Sequence, residues 1–284
     1  MKKDILFWEE DGLPVVVKRS RAEDKYRTLF NYMELFSTGM KNKYKRVYID
    51  LYAGSGCARI EGDEKIFKGS ALLSMSVKQP FDKYIFCEEN RECATALRKR
   101  IQDNFSPLNT IIIEGDCNNS IDTIIENISK SSISQNVLTL CVVDPDSLDV
   151  HYDSLKKLAN VTRIDFIVLL ALMMDANRNE SNYIRPDNVK VESFLGKKDW
   201  RPRWMEYKER DNSFPRYLTS EFENQMMSIG YKFFPEVTPK KEIRSKEKNL
   251  PLYHLAFFSK SEKGIEFWKK GLKYSSDQTT FEFV

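Results

Sequence analysis

The segment Val47-Tyr48-Ile49-Asp50-Leu51-Tyr52-Ala53-Gly54-Ser55-Gly56 constrains the fold more than any other stretch of the chain. Apolar and β-branched residues run without alternation into an acid, the pattern of a parallel strand buried on both faces. The two glycines beyond it accept positive φ and let a ligand approach where a Cβ would stand in the way. In open α/β sheets such a strand end faces the ligand crevice. A tight dinucleotide turn would place a third glycine at position 59 and begin a helix there. Position 59 is Arg59, and helical periodicity restarts only at Gly69-Ser70-Ala71-Leu72-Leu73. The next strand-end acid, Glu88, lies 38 residues after Asp50, against about 20 in a dinucleotide fold. An NAD-dependent oxidoreductase is therefore disfavoured, and the polar excursion from Cys57 to Lys68 reads as a candidate lid.

Four further apolar runs repeat the pattern. Tyr84-Ile85-Phe86-Cys87 ends in Glu88, Thr110-Ile111-Ile112-Ile113-Glu114 ends in Gly115-Asp116-Cys117, Val137 to Val143 ends in Asp144-Pro145, and Ile164 to Leu172 ends near Asp175. Helical spacing separates them: Cys93, Leu97 and Ile101 follow the N-cap residue Asn90, and further helices are predicted over 120–128 and 152–159. Ahead of the first strand, a capping box of Ser20 and Glu23 opens a helix of about 20 residues carrying Tyr26, Leu29, Phe30, Met33 and Phe36. Strands alternating with helices make a doubly wound sheet with right-handed crossovers. After a helix near 218–229, Tyr231 to Phe234 and Tyr253 to Phe258 read as strands with no helix between them, so they form an antiparallel hairpin around a charged loop from Lys240 to Asn249.

Net charge excludes little. Forty-five basic against 42 acidic residues leave +3, too small to demand a polyanionic partner. Five cysteines without knuckle spacing and only two histidines argue against a metal site. No leader-like core follows Met1-Lys2-Lys3-Asp4 and no run approaches a membrane span, so a cytoplasmic protein with no membrane association is expected.

Asp50, Glu88, Asp116 and Asp144 thus stand at four successive strand ends, with Gly54, Gly56 and Gly115 beside them. The layout, a parallel sheet finished by an antiparallel hairpin, is similar to the class I S-adenosylmethionine (SAM) methyltransferases. That resemblance implies SAM as cofactor. Asp50, Tyr52, Gly54 and Gly56 would cradle its methionine end, Glu88 would accept from both ribose hydroxyls, and Asp116 with Cys117 would hold the adenine. Asp144-Pro145-Asp146-Ser147 resembles in part the Asp-Pro-Pro-Tyr motif of nucleic-acid amino-methyltransferases, with Asp146 in place of the second proline and Ser147 in place of the aromatic. Asp144 and Pro145 are then catalytic candidates, although a helix N-cap is the ordinary role for an acid at such a junction.

The ordered set Tyr48 to Gly56, Gly69-Ser70, Phe86-Cys87-Glu88, Gly115-Asp116, Val143-Asp144-Pro145, Met173 to Asn179, Phe194-Leu195-Gly196 with Trp200, and Tyr253 to Lys260 resembles the three-Cys-motif partner family of bacterial proteins. The resemblance implies a Rossmann-type methyltransferase and a protein partner from a neighbouring gene. Arg178, on the same rim, is a third catalytic candidate that could hold a phosphate or carboxylate, or pair with Asp175 or Glu180. Between Gly196 and Arg216, basic residues alternate with aromatics. Lys197, Arg201, Arg203 and Trp204 are the candidates there for tracking and stacking on a nucleic acid; a charged surface over buried aromatics is the alternative.

The expected architecture is an α/β fold: a doubly wound, mostly parallel Rossmann-like methyltransferase sheet ending in an antiparallel hairpin, with an N-terminal helix and a small inserted subdomain. Residues 1–175 and 217–284 would build the sheet and 176–216 the insertion. The expected function is methyl transfer from SAM to a nitrogen of a nucleic-acid base, with a SAM-binding, non-catalytic partner module as the alternative.

Overall fold

The structure, a computed structural model, describes residues 5–18, 22–62, 64–105, 107–132, 136–170, 172–232, 240–244 and 251–277. In chain order its elements are β1 (Ile5–Phe7), β2 (Pro14–Lys18), α1 (Ala22–Met40), β3 (Lys45–Asp50), β4 (Cys57–Ile60), β5 (Ile66–Lys68), α2 (Ser70–Met75) and β6 (Lys83–Glu88). There follow α3 (Arg91–Asn104), β7 (Thr110–Glu114), α4 (Ile121–Ser132), β8 (Val137–Val143), α5 (Tyr152–Val161), β9 (Arg163–Leu170) and α6 (Leu172–Tyr183). The chain closes with α7 (Lys190–Leu195), α8 (Trp200–Lys208), α9 (Phe214–Ser228), β10 (Lys241–Arg244), β11 (Pro251–Phe258) and α10 (Glu262–Asp277).

The main sheet has seven strands in the order β10-β11-β9-β8-β3-β6-β7. β7, β6, β3, β8 and β9 are parallel, whereas β11 runs antiparallel between β9 and β10. The chain builds outward from β3 through β6 to β7, then returns to lay β8 and β9 on the other side of β3. Strand order therefore reverses between β3 and β8, and a ligand crevice is expected at their carboxyl ends. Alternate residues of β3 serve the two faces: Val47 and Ile49, with Leu51 just beyond the strand, join the core under α4 to α9, and Tyr48 joins the core under α1, α2, α3 and α10.

The expected N-terminal helix is α1; the cap residue Ser20 lies outside the described residues. Asn90 caps α3, its side chain accepting from the Cys93 amide at 2.9 Å. At the tail, the antiparallel pairing is present but its first strand is displaced. Lys232 makes only an isolated bridge to Ser259, Phe233 and Phe234 lie outside the described residues, and the paired strand is β10, within the stretch expected to be a loop. Ile243 alone is buried there, between exposed Glu242 and Arg244, so this edge strand has no apolar run to announce it.

Two features were not foreseen. The Cys57 to Lys68 excursion is the hairpin β4-β5, which adds to β2 and β1 as a second, four-stranded sheet. Helix α10 packs on α1 through an aromatic cluster in which the Tyr32 ring lies 5.0 Å from Phe257 and 5.5 Å from Trp268. Helix α6 spans the start expected for the 176–216 insertion, and Trp200, Trp204 and Phe214 belong to one core with β3, β8 and β9.

Arg100 ties the second sheet to the main one. Buried on α3, it pairs with Asp11 at 2.8 Å and donates to the carbonyls of Pro14 and Ser55 at 2.9 and 2.7 Å. Arg100→Met leaves the buried Pro14 and Ser55 carbonyls unmatched and is expected to cost about 3 kcal/mol, read as a lower denaturant midpoint at unchanged slope.

Candidate functional site

The turn after β3 places the site. Asp50 ends the strand fully buried, and its carboxylate accepts from the Tyr52 amide at 3.1 Å, bending the chain back under itself. Gly54 and Gly56 then take φ of +65° and +86°, conformations that other residues adopt only under strain. A Cβ on Gly56 would also stand 3.0 Å from Leu72 and Leu97. Glu88, from the end of β6, accepts from the Gly54 amide at 2.8 Å and the Asn90 amide at 2.9 Å. One carboxylate thus fixes both the glycine turn and the start of α3.

Two hollows meet at this turn, with Tyr52 lining both. The larger, about 520 Å³, is walled by Glu88, Gly115, Asp116 and Cys117 from the strand ends and by Asn179, Asn182, Tyr183, Asn188 and Lys190 opposite. Asp146 and Asp149 complete it, making it predominantly acidic, with Lys190 held 2.7 Å from Asp149. Asp116 shapes the entry to α4 by accepting from the Asn119 amide at 2.9 Å. The Tyr52 hydroxyl stands beside the Cys117 thiol; burial pushes that thiol up to about 11, so it is neutral at physiological pH. The smaller hollow, about 20 Å³, is bounded by the glycine turn, Ser70, Lys18, Tyr26 and Asp144.

Asp144 is not open to solvent. Its Oδ2 lies 2.6 Å from the Lys25 ammonium of α1, and the side chains are 6% and 5% exposed. Burial opposes the charge on Lys25, but the Asp144 carboxylate, helped by Tyr26 and Tyr253, holds its pKa above the usual lysine value. The next acid, Asp146, pairs with Lys18 of β2 at 3.2 Å. Two lysines from the N-terminal segment therefore engage the two acids that flank Pro145, which is itself buried. Neither lysine carries a local sign of this role, because the partners are 119 and 128 residues away.

The structure brings together Asp144, Pro145, Tyr52, Gly54, Gly56, Glu88, Asp116 and Cys117, with Asp50 beneath the turn and outside the walls of both hollows. Other candidates are corrected. Arg178 is exposed on α6 and outside the cleft wall, where Asn179, Asn182 and Tyr183 of the same helix stand instead. Trp204 has no exposed surface and cannot stack on a base. The Arg201 guanidinium donates to the carbonyls of Ile184, Arg185 and Asn188, and Lys197 and Arg203 both pair with Glu221. Arg201 ties α8 to the loop between α6 and α7, and Lys197 and Arg203 tie that region to α9, with Arg203 still half-exposed.

The fold has counterparts among solved structures. Protein LPL1258 from Legionella pneumophila aligns over 89% of this chain and 91% of its own at 10% identity, with a TM-score of 0.51. Trm1 from Pyrococcus horikoshii, solved with S-adenosyl-L-methionine, aligns over 95% of this chain and 62% of its own at 11% identity and a TM-score of 0.47. TYW2 from M. jannaschii, solved with AdoMet, covers 91% and 88% at 13% identity and 0.42. The mixed, mostly parallel seven-stranded sheet with its helices is a doubly wound, Rossmann-like α/β fold, shared with LPL1258. Neither a protein-family model nor a curated protein matches the sequence, so the resemblance to the three-Cys-motif partner family rests on its motifs alone.

Burial, opposed by hydrogen bonds from Ser70 and the Tyr52 amide, raises the Asp50 carboxyl to about 6. The folded chain then retains a proton that the unfolded chain has released, so between about pH 4 and 6 the Asp50 contribution to stability falls as pH rises. Asp50→Asn is expected to stabilise the ligand-free protein by about 2–3 kcal/mol at pH 8. Thermal unfolding across pH would show that gain vanishing toward pH 4.

Proposed function

We propose that the chain is a SAM-dependent methyltransferase whose acceptor is a nitrogen of a nucleic-acid base. The observation that carries the reading is the convergence of Glu88, Asp116 and Cys117 on one wall of an acidic cleft that shares Tyr52 with the glycine-turn hollow. An elongated ligand with a cationic end suits this shape and charge. Glu88 accepts from two backbone amides and lines the cleft, and a carboxylate there suits the two hydroxyls of a ribose. Asp116 retains acceptor capacity for an exocyclic amine.

When bound, SAM supplies an electrophilic methyl group on a sulfonium. The protein needs to align the incoming nitrogen and accept its hydrogens, since alignment provides much of the rate in such displacements. Asp144 borders the hollow beside the turn. With Oδ2 engaged by Lys25, Oδ1 and the Pro145 carbonyl are the acceptors available to an amine. Asn182 on the opposite wall carries a donor and an acceptor on one side chain, the pairing that base edges take.

A second reading, a SAM-binding partner module without catalysis, is favoured by the burial of Asp144 and the small hollow beside it. Calorimetry with SAM is expected to show binding that weakens about tenfold in Glu88→Gln, the loss of one good charged hydrogen bond. Thermal unfolding checks that this variant folds. Labelled methyl from SAM is expected to reach total RNA or DNA with the wild-type chain and not with Asp144→Asn. SAM binding without any transfer favours the partner module, and no SAM binding overturns both readings.

A further inference from the structure

Asp50 pairs with Val142 across the β3–β8 ladder, and Asp144 follows two residues later. Two carboxylates therefore lie at adjacent strand ends at the point where strand order reverses, and both are buried. Like charges in such a setting cannot both remain ionised without compensation. The groups around the pair are the ammonium of Lys25 and the hydroxyl of Tyr26 on α1, Lys18 on β2, Tyr48 on β3, the Cys141 thiol on β8, held neutral by burial, Tyr253 on β11, and Asp146 beyond Pro145. Lys18 pairs with Asp146 at 3.2 Å and also lies close enough for the Asp144 carboxylate to raise its pKa, without a direct bond to it. Tyr48 and Tyr253 are neutral at physiological pH, burial holding Tyr48 well above its ordinary value and Tyr253 above it as well. Lys25 is the cation bonded to Asp144, and its charge also lowers the Asp50 pKa through space.

Resting on the SAM reading of this site, we propose that Lys25 is a positioning residue: its buried ion pair with Asp144 lets Asp50 and Asp144 be ionised together, so that the strand ends present a net negative charge to the cationic end of the ligand. A neutral residue at position 25 leaves two buried carboxylates sharing one site, and one of them takes up a proton. A ligand ammonium arriving at the turn then has to drive that proton off. A merely structural lysine would alter stability without coupling ligand binding to protons.

The test is SAM titration by calorimetry at pH 7 in buffers of different ionisation enthalpy, with wild type, Lys25→Met and Lys25→Arg. Lys25→Met is expected to bind at least tenfold more weakly and to release about one proton more than wild type, with affinity recovering at pH 9. Lys25→Arg is expected to match wild type. Equal affinity and equal proton release in Lys25→Met overturn the proposal. Should Lys25→Met not fold, Lys25→Met/Asp144→Asn removes both charges together; binding without the extra proton supports the proposal, and an extra proton in this variant overturns it. If the wild-type chain binds no SAM, the reading of the site fails, and carboxyl NMR of the ligand-free proteins decides the Lys25 claim separately. There an aspartate titrating above pH 7 in Lys25→Met and not in wild type is expected, and identical titrations overturn it.

Discussion

The turn from Tyr52 to Gly56 cannot satisfy its own backbone, and much of the structure is arranged to do so. Asp50 accepts from Tyr52, Glu88 accepts from Gly54, Arg100 donates to the Ser55 carbonyl, and the Gly69 amide donates to the Gly56 carbonyl at 2.7 Å. These partners come from β3, β6, α3 and the start of α2. An unmatched buried backbone group costs about as much as a lost hydrogen bond, so each partner is held by the turn as firmly as it holds the turn. The second sheet follows from this arrangement. The chain leaving Gly56 must return to Gly69 to close that last bond, and the hairpin β4-β5 is the path between them, seated on β2.

The parallel strands were legible because their apolar runs are uninterrupted, as burial on both faces makes them in β3, β6, β8 and β9. The acids were legible because strand ends in this topology have one location. What escaped reading was wherever the determinant is long-range. β10 owes its existence to the edge of β11 and not to its own composition; only Ile243 faces inward. The N-terminal run Val15-Val16-Val17 gave no sign of its neighbours Ala58 and Arg59. Helix α10 carries Ile265 and Trp268 at helical spacing, a signal that could have been used.

The segment from Gly196 to Arg216 shows why composition misleads about function. Alternating charge and aromatic residues fit a nucleic-acid surface and equally fit amphipathic helices whose aromatics face inward. Here the Trp204 ring packs 5.0 Å from Phe214 and 5.4 Å from Tyr217, and the Arg201 guanidinium sits 4.5 Å over the Trp200 ring. Arginine covers an aromatic face whether the other side of the ring meets a base or a core. Periodicity would have helped little, since Trp200 and Trp204 are one turn apart in either case.

The pairing of Asp144 with Lys25 connects these points to chemistry. An isolated ion pair inside a protein contributes little net stability, because desolvation offsets the attraction, yet removing one partner is expensive. An apolar pair of the same volume would serve the fold at least as well at that position. Keeping two charges is therefore best explained by what they do to a third, and the nearby charge is Asp50, whose carboxyl is raised to about 6 by burial with Asp144 adding to the rise and Lys25 opposing it. The same lysine anchors α1 to the end of β8, so the electrostatics of the turn and the seating of the N-terminal helix cannot be varied independently. A chain that lost the need for a charged Asp50 would be free to lose Lys25 and Asp144 together, and would gain stability by doing so.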